Sequence, residues 1–326
     1  MKALRMLRTT AVSLVGALMM QTPIFAQDQA GQSLGLGQAA QVVSVSLGKY
    51  HSPWLVIPVM VNGSGPYDFL LDTGTTTTII DAALFQKLGM RRTGAMVMTT
   101  MTGEKTQYQA IASEIAVKGL SRQNVAVMVL PKLPLGPFVR GVLGENFLCH
   151  FDLLIDNQHR QITLDAGDSL ADSFDGERLP MSSSSVSAEG DTLHRPMVSV
   201  KLPSIDSHPL SMVLDSAAEA VVIFRQKEFA WRNLGDGSAD HLMVETMAGP
   251  LRCSLWQDSL RWGRFSASGV DMLMCEDAKT AKLDTGGSVP TGMFKRVLIS
   301  HANSYVIVNP VRRSSTLQEA AVVPPR

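Results

Sequence analysis

The alternation of apolar and polar positions predicts a chain of short strands broken by turn residues, with few helices. Strand-like text begins at residues 42–47 and resumes at 54–61, where Asn62-Gly63 is a strong hairpin signal. Residues 69–71 and 79–80 are apolar, and the polar stretch between them carries the carboxylate of Asp72. Residues 81–89 read as a short helix that Asp81 caps and Gly89 ends, with Ala83, Leu84 and Leu88 on its apolar face. Further strands are expected at 111–117, 125–130, 151–156 and 161–164, with a β-hairpin turning near residues 99–105. Residues 166–195 are polar and low in apolar content, which predicts a surface linker.

Beyond that linker the pattern repeats. Asp72 is matched by Asp215 at an offset of 143 (215 less 72), each after an apolar run, and Ile79-Ile80 fall on Val222-Ile223 at the same offset. The hairpin tip Thr100-Met101-Thr102-Gly103 is matched by Thr246-Met247-Ala248-Gly249, Gly119 by Gly263, Val125 by Val270, and Leu154-Ile155 by Leu298-Ile299. Ordered matches at nearly constant spacing indicate a duplicated lobe. A second Asp-Thr-Gly, at Asp284-Thr285-Gly286, lies outside that register among lysines and glycines and reads as a solvated turn.

Composition narrows the class. The chain has 326 residues and zero formal net charge, with 45% hydrophobic and 18% charged residues. That is ample for two cored lobes and leaves no electrostatic footprint for nucleic acid. Lys2, Arg5 and Arg8 precede an apolar run at 11–20, and Ile24-Phe25-Ala26 ends in a small residue. This reads as a signal peptide over 1–26, hence an exported protein, periplasmic or secreted and off the membrane once the segment is removed. An uncleaved anchor is the alternative. A flexible leader follows at 27–41. No pattern of His and Cys suggests a metal. Of the three cysteines, Cys253 and Cys275 form a candidate disulfide with buried thiols as the equal alternative, while Cys149 reads as a buried thiol.

The apolar-apolar-Asp72-Thr73-Gly74-Thr75 pattern resembles the catalytic loop of aspartic proteases, in particular the retropepsin-like branch, and Val142-Leu143-Gly144 resembles the apolar-apolar-Gly segment that passes beside it. The resemblance implies an all-β, bilobal fold of two tandem retropepsin-like lobes with short helices. The first spans 42–167, a linker 168–195, the second 196–310 and a tail 311–326. It implies an aspartic endopeptidase acting on peptide or protein substrates through a water activated by Asp72 and Asp215. No cofactor is needed, and the expected form is a monomer with pseudo-twofold lobes. Thr73 and Ser216 would support the two loops; Gly74, Ala217, Met101, Gly103, Met247 and Gly249 would line the substrate site. Two departures fall in the second lobe: Ala217 stands where the family has glycine, and Val289-Pro290-Thr291-Gly292 blurs the apolar-apolar-Gly segment. A non-catalytic, peptide-binding pseudoprotease is therefore the second reading. Pairing of the first lobe with a copy in another molecule is the third.

Overall fold

The computed structural model describes residues 19–21, 42–46, 54–100, 103–167, 169–183, 186–188, 191–193, 195–203, 208–224, 241–246, 249–275 and 285–313. Two eight-stranded sheets dominate, with a six-stranded sheet joining them. Strands Val56–Val61 and Ser64–Leu71 form the predicted hairpin. Asn62 and Gly63 both take positive φ, +52° and +72°, which suits a tight turn between right-twisted strands.

The element that positions everything else is a strand slotted between the two flanks of the Asp72 loop. Val139–Leu143 runs parallel to Ser64–Leu71, pairing Leu71 with Leu143, and antiparallel to Thr78–Asp81, pairing Ile79 with Val142. The second half repeats this topology. Gly287–Pro290 runs parallel to Leu210–Asp215, pairing Leu214 with Val289, and antiparallel to Val221–Phe224, pairing Val222 with Ser288. Glycine is required at the crossing in both lobes. A Cβ on Gly141 would lie 2.2 Å from the Phe69 ring, and one on Gly287 would lie 2.0 Å from the Val222 carbonyl oxygen.

This register corrects two sequence readings. Ser288 answers Val142 and Val289 answers Leu143, so the counterpart of Gly144 is Pro290, not Gly292. The periodic pattern could not show this, because proline there reads as a break in the strand. Thr285 and Gly286 do not form a solvated turn. Thr285 is buried, its hydroxyl donates to the Ser211 and Gly287 carbonyls, and the Gly286 N–H donates to Ser211 O. Asp284 itself lies outside the described residues.

The repeat also accounts for the joining sheet. Leu154 pairs with Leu298, its own counterpart at offset 144, in an antiparallel ladder between strands Asp152–Asp156 and Arg296–Ser300. Two equivalent strands paired antiparallel about equivalent residues place a local pseudo-twofold axis between the halves. The stretch expected as a surface linker contributes to this layer: Leu179 and Pro180 pair with Val306 and Tyr305, and Leu170, Phe174, Leu179 and Met181 are buried. Val311 and Arg312, at the start of the expected tail, pair with Asp175 and Phe174. Met19–Gln21, within the expected signal segment, pairs antiparallel with Val97–Thr99.

The helix forms at Ala82–Lys87, with Asp81 Oδ1 accepting from the Leu84 N–H at 2.6 Å. Its inward face carries Ala82, Leu84, Phe85 and Leu88, whereas Ala83 is exposed. Cys253 and Cys275 face each other across antiparallel strands and are disulfide-bonded; Cys149 is half-buried and outside any disulfide.

Candidate active site

Each aspartate follows a buried strand and precedes a loop whose backbone turns back onto its carboxylate. The Gly74 N–H donates to Asp72 Oδ1 at 2.8 Å, and the Thr75 hydroxyl donates to Asp72 Oδ2 at 2.5 Å. In the second lobe the Ala217 and Ala218 N–H groups donate to Asp215 Oδ1 at 2.8 and 2.9 Å. Ala218 stands where the first lobe has Thr75, so among the described residues Asp215 has no hydroxyl donor to match.

The loops are clasped by four reciprocal hydrogen bonds. The Thr73 hydroxyl donates to the Leu214 carbonyl at 2.6 Å and accepts from the Ser216 N–H at 3.0 Å. The Ser216 hydroxyl donates to the Leu71 carbonyl at 2.8 Å and accepts from the Thr73 N–H at 3.0 Å. Each hydroxyl thus satisfies two backbone groups, which would otherwise be buried without partners at the junction of two strand ends.

The carboxylates lie close together. A Cβ built on Gly74 would sit 2.7 Å from Asp215 Cγ and 2.8 Å from its Oδ2, so the Asp215 carboxylate rests directly on the Gly74 backbone. Both groups are buried. Burial raises the Asp72 carboxyl well above the usual carboxylate range, and the Asp215 charge adds to this against the Thr75 and Gly74 donors. Burial also raises Asp215, to about 7, against its two backbone donors. Two desolvated carboxyls in mutual contact retain a proton between them at neutral pH, and their titrations belong to the pair.

Ala217 does not merely replace a glycine. It is buried, and it packs in a cluster formed otherwise by first-lobe side chains, including Leu70, Met96, Met98, Met128 and Leu130. Met96 and Met98 belong to Arg92–Thr100, the first strand of the predicted hairpin, which closes with Thr100 opposite Gly103. The equivalent hairpin closes with Thr246 opposite Gly249. Gly103 and Gly249 share a positive φ, +127° and +120°. Met101 and Met247 lie outside the described residues.

The structure therefore brings Asp72, Thr73, Gly74, Asp215, Ser216 and Ala217 together. Sequence reasoning missed three contributors. Thr75 carries a donor to Asp72, and the unusual run Thr75 to Thr78 between two apolar strands was a signal, since all four are buried. Trp54 Nε1–H donates to Glu219 Oε1 at 3.0 Å across the two halves, from positions with no sequence link. Glu145 is fully buried just after Gly144, and a lone acid within the apolar stretch 141–148 could have marked it.

Comparison with known proteins agrees with the geometry of the first half. Residues 57–147 match a family model described as aspartyl protease. No curated protein matches. Among solved structures, a retropepsin-like aspartic protease from Rickettsia conorii matches at 19% identity over 39% of this chain and 92% of its own, with a TM-score of 0.30. The matched segment, which carries Asp72, is thus similar to the aspartyl protease family.

Proposed function

We propose that this protein is an aspartic endopeptidase whose dyad is Asp72 and Asp215. One observation carries the reading: two buried carboxylates from equivalent loops are clasped together by the Thr73 and Ser216 hydroxyls. Carboxyls in this state share a proton, the arrangement that general acid–base hydrolysis of an amide needs. The ionised carboxylate takes a proton from a water held between the pair. The water oxygen attacks the peptide carbonyl carbon, while the protonated partner donates a hydrogen bond to the carbonyl oxygen. Collapse of the tetrahedral intermediate then sends a proton to the departing amide nitrogen. Gly74 and Ala217 flank the reacting bond, and the hairpins ending near Met101-Gly103 and Met247-Gly249 contact the peptide. The enzyme works as a monomer, exported to the periplasm or beyond after removal of residues 1–26.

Cleavage of a peptide library from acid to neutral pH, with and without a transition-state peptide analogue, tests this. Activity that the analogue blocks, and that both Asp72→Asn and Asp215→Asn abolish, is the expected result. Retained activity in either variant refutes the dyad. Ala217 in place of glycine favours a second reading, a peptide-binding protein without turnover. Tight analogue binding with no cleavage of any library member would establish that reading instead.

A further inference from the structure

We propose that Glu219 is a specificity-determining residue, a carboxylate at the wall of the cleft that selects peptides carrying a lysine or arginine side chain on one side of the scissile bond. The inference rests on the dyad reading above and deepens it by naming the substrate class. Glu219 stands four residues after Asp215, on the loop whose Ala217 and Ala218 N–H groups hold the Asp215 carboxylate. Met212 to Ala218 are buried, as are Val221 to Phe224; between them only Glu219 and Ala220 are half-buried. The side chain that this loop sends toward solvent beside Asp215 is therefore an acid.

Its position is fixed from the other lobe. Trp54 Nε1–H donates to Glu219 Oε1 at 3.0 Å. Trp54 packs on the cluster that holds Ala217 together with Met96 and Met98 of the first hairpin. The Glu219 carboxylate is thus held against a first-lobe wall that also carries Ala217 and the hairpin strand, so a peptide lying over the dyad and under that hairpin passes beside it. The indole bond does not call for a charge, since an amide oxygen would accept it as well. Among the described residues Trp54 is the only hydrogen-bond partner of Glu219, and no lysine, arginine or histidine lies within ion-pair distance of it. A half-buried carboxylate without a counter-ion is unfavourable, and more so once a bound peptide displaces the remaining water. An ammonium or guanidinium on the peptide removes that cost. A neutral side chain leaves it, and an acidic one adds repulsion.

The other half lacks the feature. The position four residues after Asp72 is Thr76, whose side chain is uncharged and buried. The two halves therefore offer unlike surfaces to the two ends of a peptide: an acid beside Asp215 and none at the equivalent place beside Asp72. A twofold-symmetric cleft reads both chain directions alike, whereas a single acid fixes which way a cationic peptide lies. Discrimination by charge should accordingly fall at one peptide position, on one side of the reacting bond.

N-acetylated, C-amidated octapeptides test this, in a cleavable set and in a set whose central bond is replaced by a statine-type transition-state isostere. Lysine, norleucine or glutamate is placed in turn at each position. In the wild type one position is expected to favour lysine over norleucine by about tenfold, in kcat/KM for the cleavable set and in Kd for the isosteres, with glutamate the poorest. Glu219→Gln keeps an oxygen for Trp54 and should abolish that preference, and Glu219→Lys should turn it toward glutamate. Added salt should shrink the wild-type preference. No lysine preference at any position, or one that Glu219→Gln leaves intact, overturns the proposal. A lysine preference that appears only in peptides with a free N-terminus also overturns it, since the α-ammonium is then what binds. Should either variant fail to fold, judged by circular dichroism, the other decides alone. Should both fail, a wild-type preference that salt leaves unchanged overturns the proposal. Cleavage without charge preference refutes the role of Glu219 and leaves the protease reading standing. A charge preference in isostere binding, with nothing cleaved, refutes the protease reading and leaves Glu219 as the selecting residue.

Discussion

Replacing Thr73 with valine keeps the side-chain shape and removes the hydroxyl, so it isolates the clasp from packing. Two hydrogen bonds vanish: the donation to Leu214 O and the acceptance from the Ser216 N–H. Both abandoned partners are backbone groups in a buried site, and neither can rotate toward water. A buried group stripped of its partner costs about 1–3 kcal/mol, so Thr73→Val should destabilise by about 2–6 kcal/mol. Thr73→Ser keeps both bonds and loses one methyl, which should cost about 1 kcal/mol. Urea unfolding followed by tryptophan fluorescence measures each shift in midpoint. The bonds of Ser216 are separate from those of Thr73, yet both hold one junction. Ser216→Ala should therefore cost less in the Thr73→Val background than in the wild type, with a coupling of about 0.5–3 kcal/mol. A Thr73→Val loss below about 0.5 kcal/mol, or a Thr73→Ser loss as large as that of Thr73→Val, would refute the clasp as the element joining the loops.

Other outcomes follow from the same geometry. Gly74→Ala should abolish cleavage, because its Cβ would meet Asp215 Cγ at 2.7 Å, whereas Ala217→Gly should preserve or raise cleavage at a stability cost of about 1 kcal/mol; equal losses in a peptide assay would contradict this. Thiol titration of denatured, unreduced protein should find Cys149 alone, and Cys253→Ser with Cys275→Ser should cost about 3 kcal/mol in the chain-entropy model. For pH, the sign follows from proton counting. Both dyad carboxyls are raised in the folded chain, so between about 4 and about 7 the folded state binds more protons than the unfolded one, and their contribution to stability falls as pH rises. Asp215→Asn should therefore gain stability relative to wild type on going from pH 4 to pH 7, and a gain that stays flat across that window would sink the assignment.

Much of the fold was legible because its signals are local. Asn62-Gly63 specifies a hairpin through backbone conformations that few other pairs tolerate, and Asp81 caps a helix three residues from the N–H it accepts. The duplicated pattern then placed Asp215 opposite Asp72, since equivalent positions in two lobes must fall at equivalent places about a twofold. What stayed hidden depends on contacts remote in sequence. Pro290 answers Gly144 only through a register read from a parallel partner, and proline at that point breaks the very pattern that would have shown it. Thr285 looks like a turn residue because its neighbours are polar, yet it closes onto Ser211, far back in the chain.

The two halves share a topology but differ in the polar groups around their aspartates. An obligate twofold gives both aspartates the same surroundings, so the proton they share has no preferred side. Once the lobes occupy one chain, each position can change alone. Around the carboxylates the halves differ at Thr75 against Ala218, Gly74 against Ala217, Glu145 against Thr291 and His301 against Asn157. The clasp keeps a hydroxyl on both sides, in Thr73 and Ser216, because each satisfies strand ends that both lobes must bury. The hydroxyl clasp is therefore equivalent in the two halves, whereas the groups behind the carboxylates differ. An amide hydrolysis needs one base and one acid at the outset, so a fixed asymmetry removes the need for the substrate to break the tie. Substitutions that restore symmetry behind the dyad should consequently act on the titration of the pair, whereas substitutions in the clasp should act on stability.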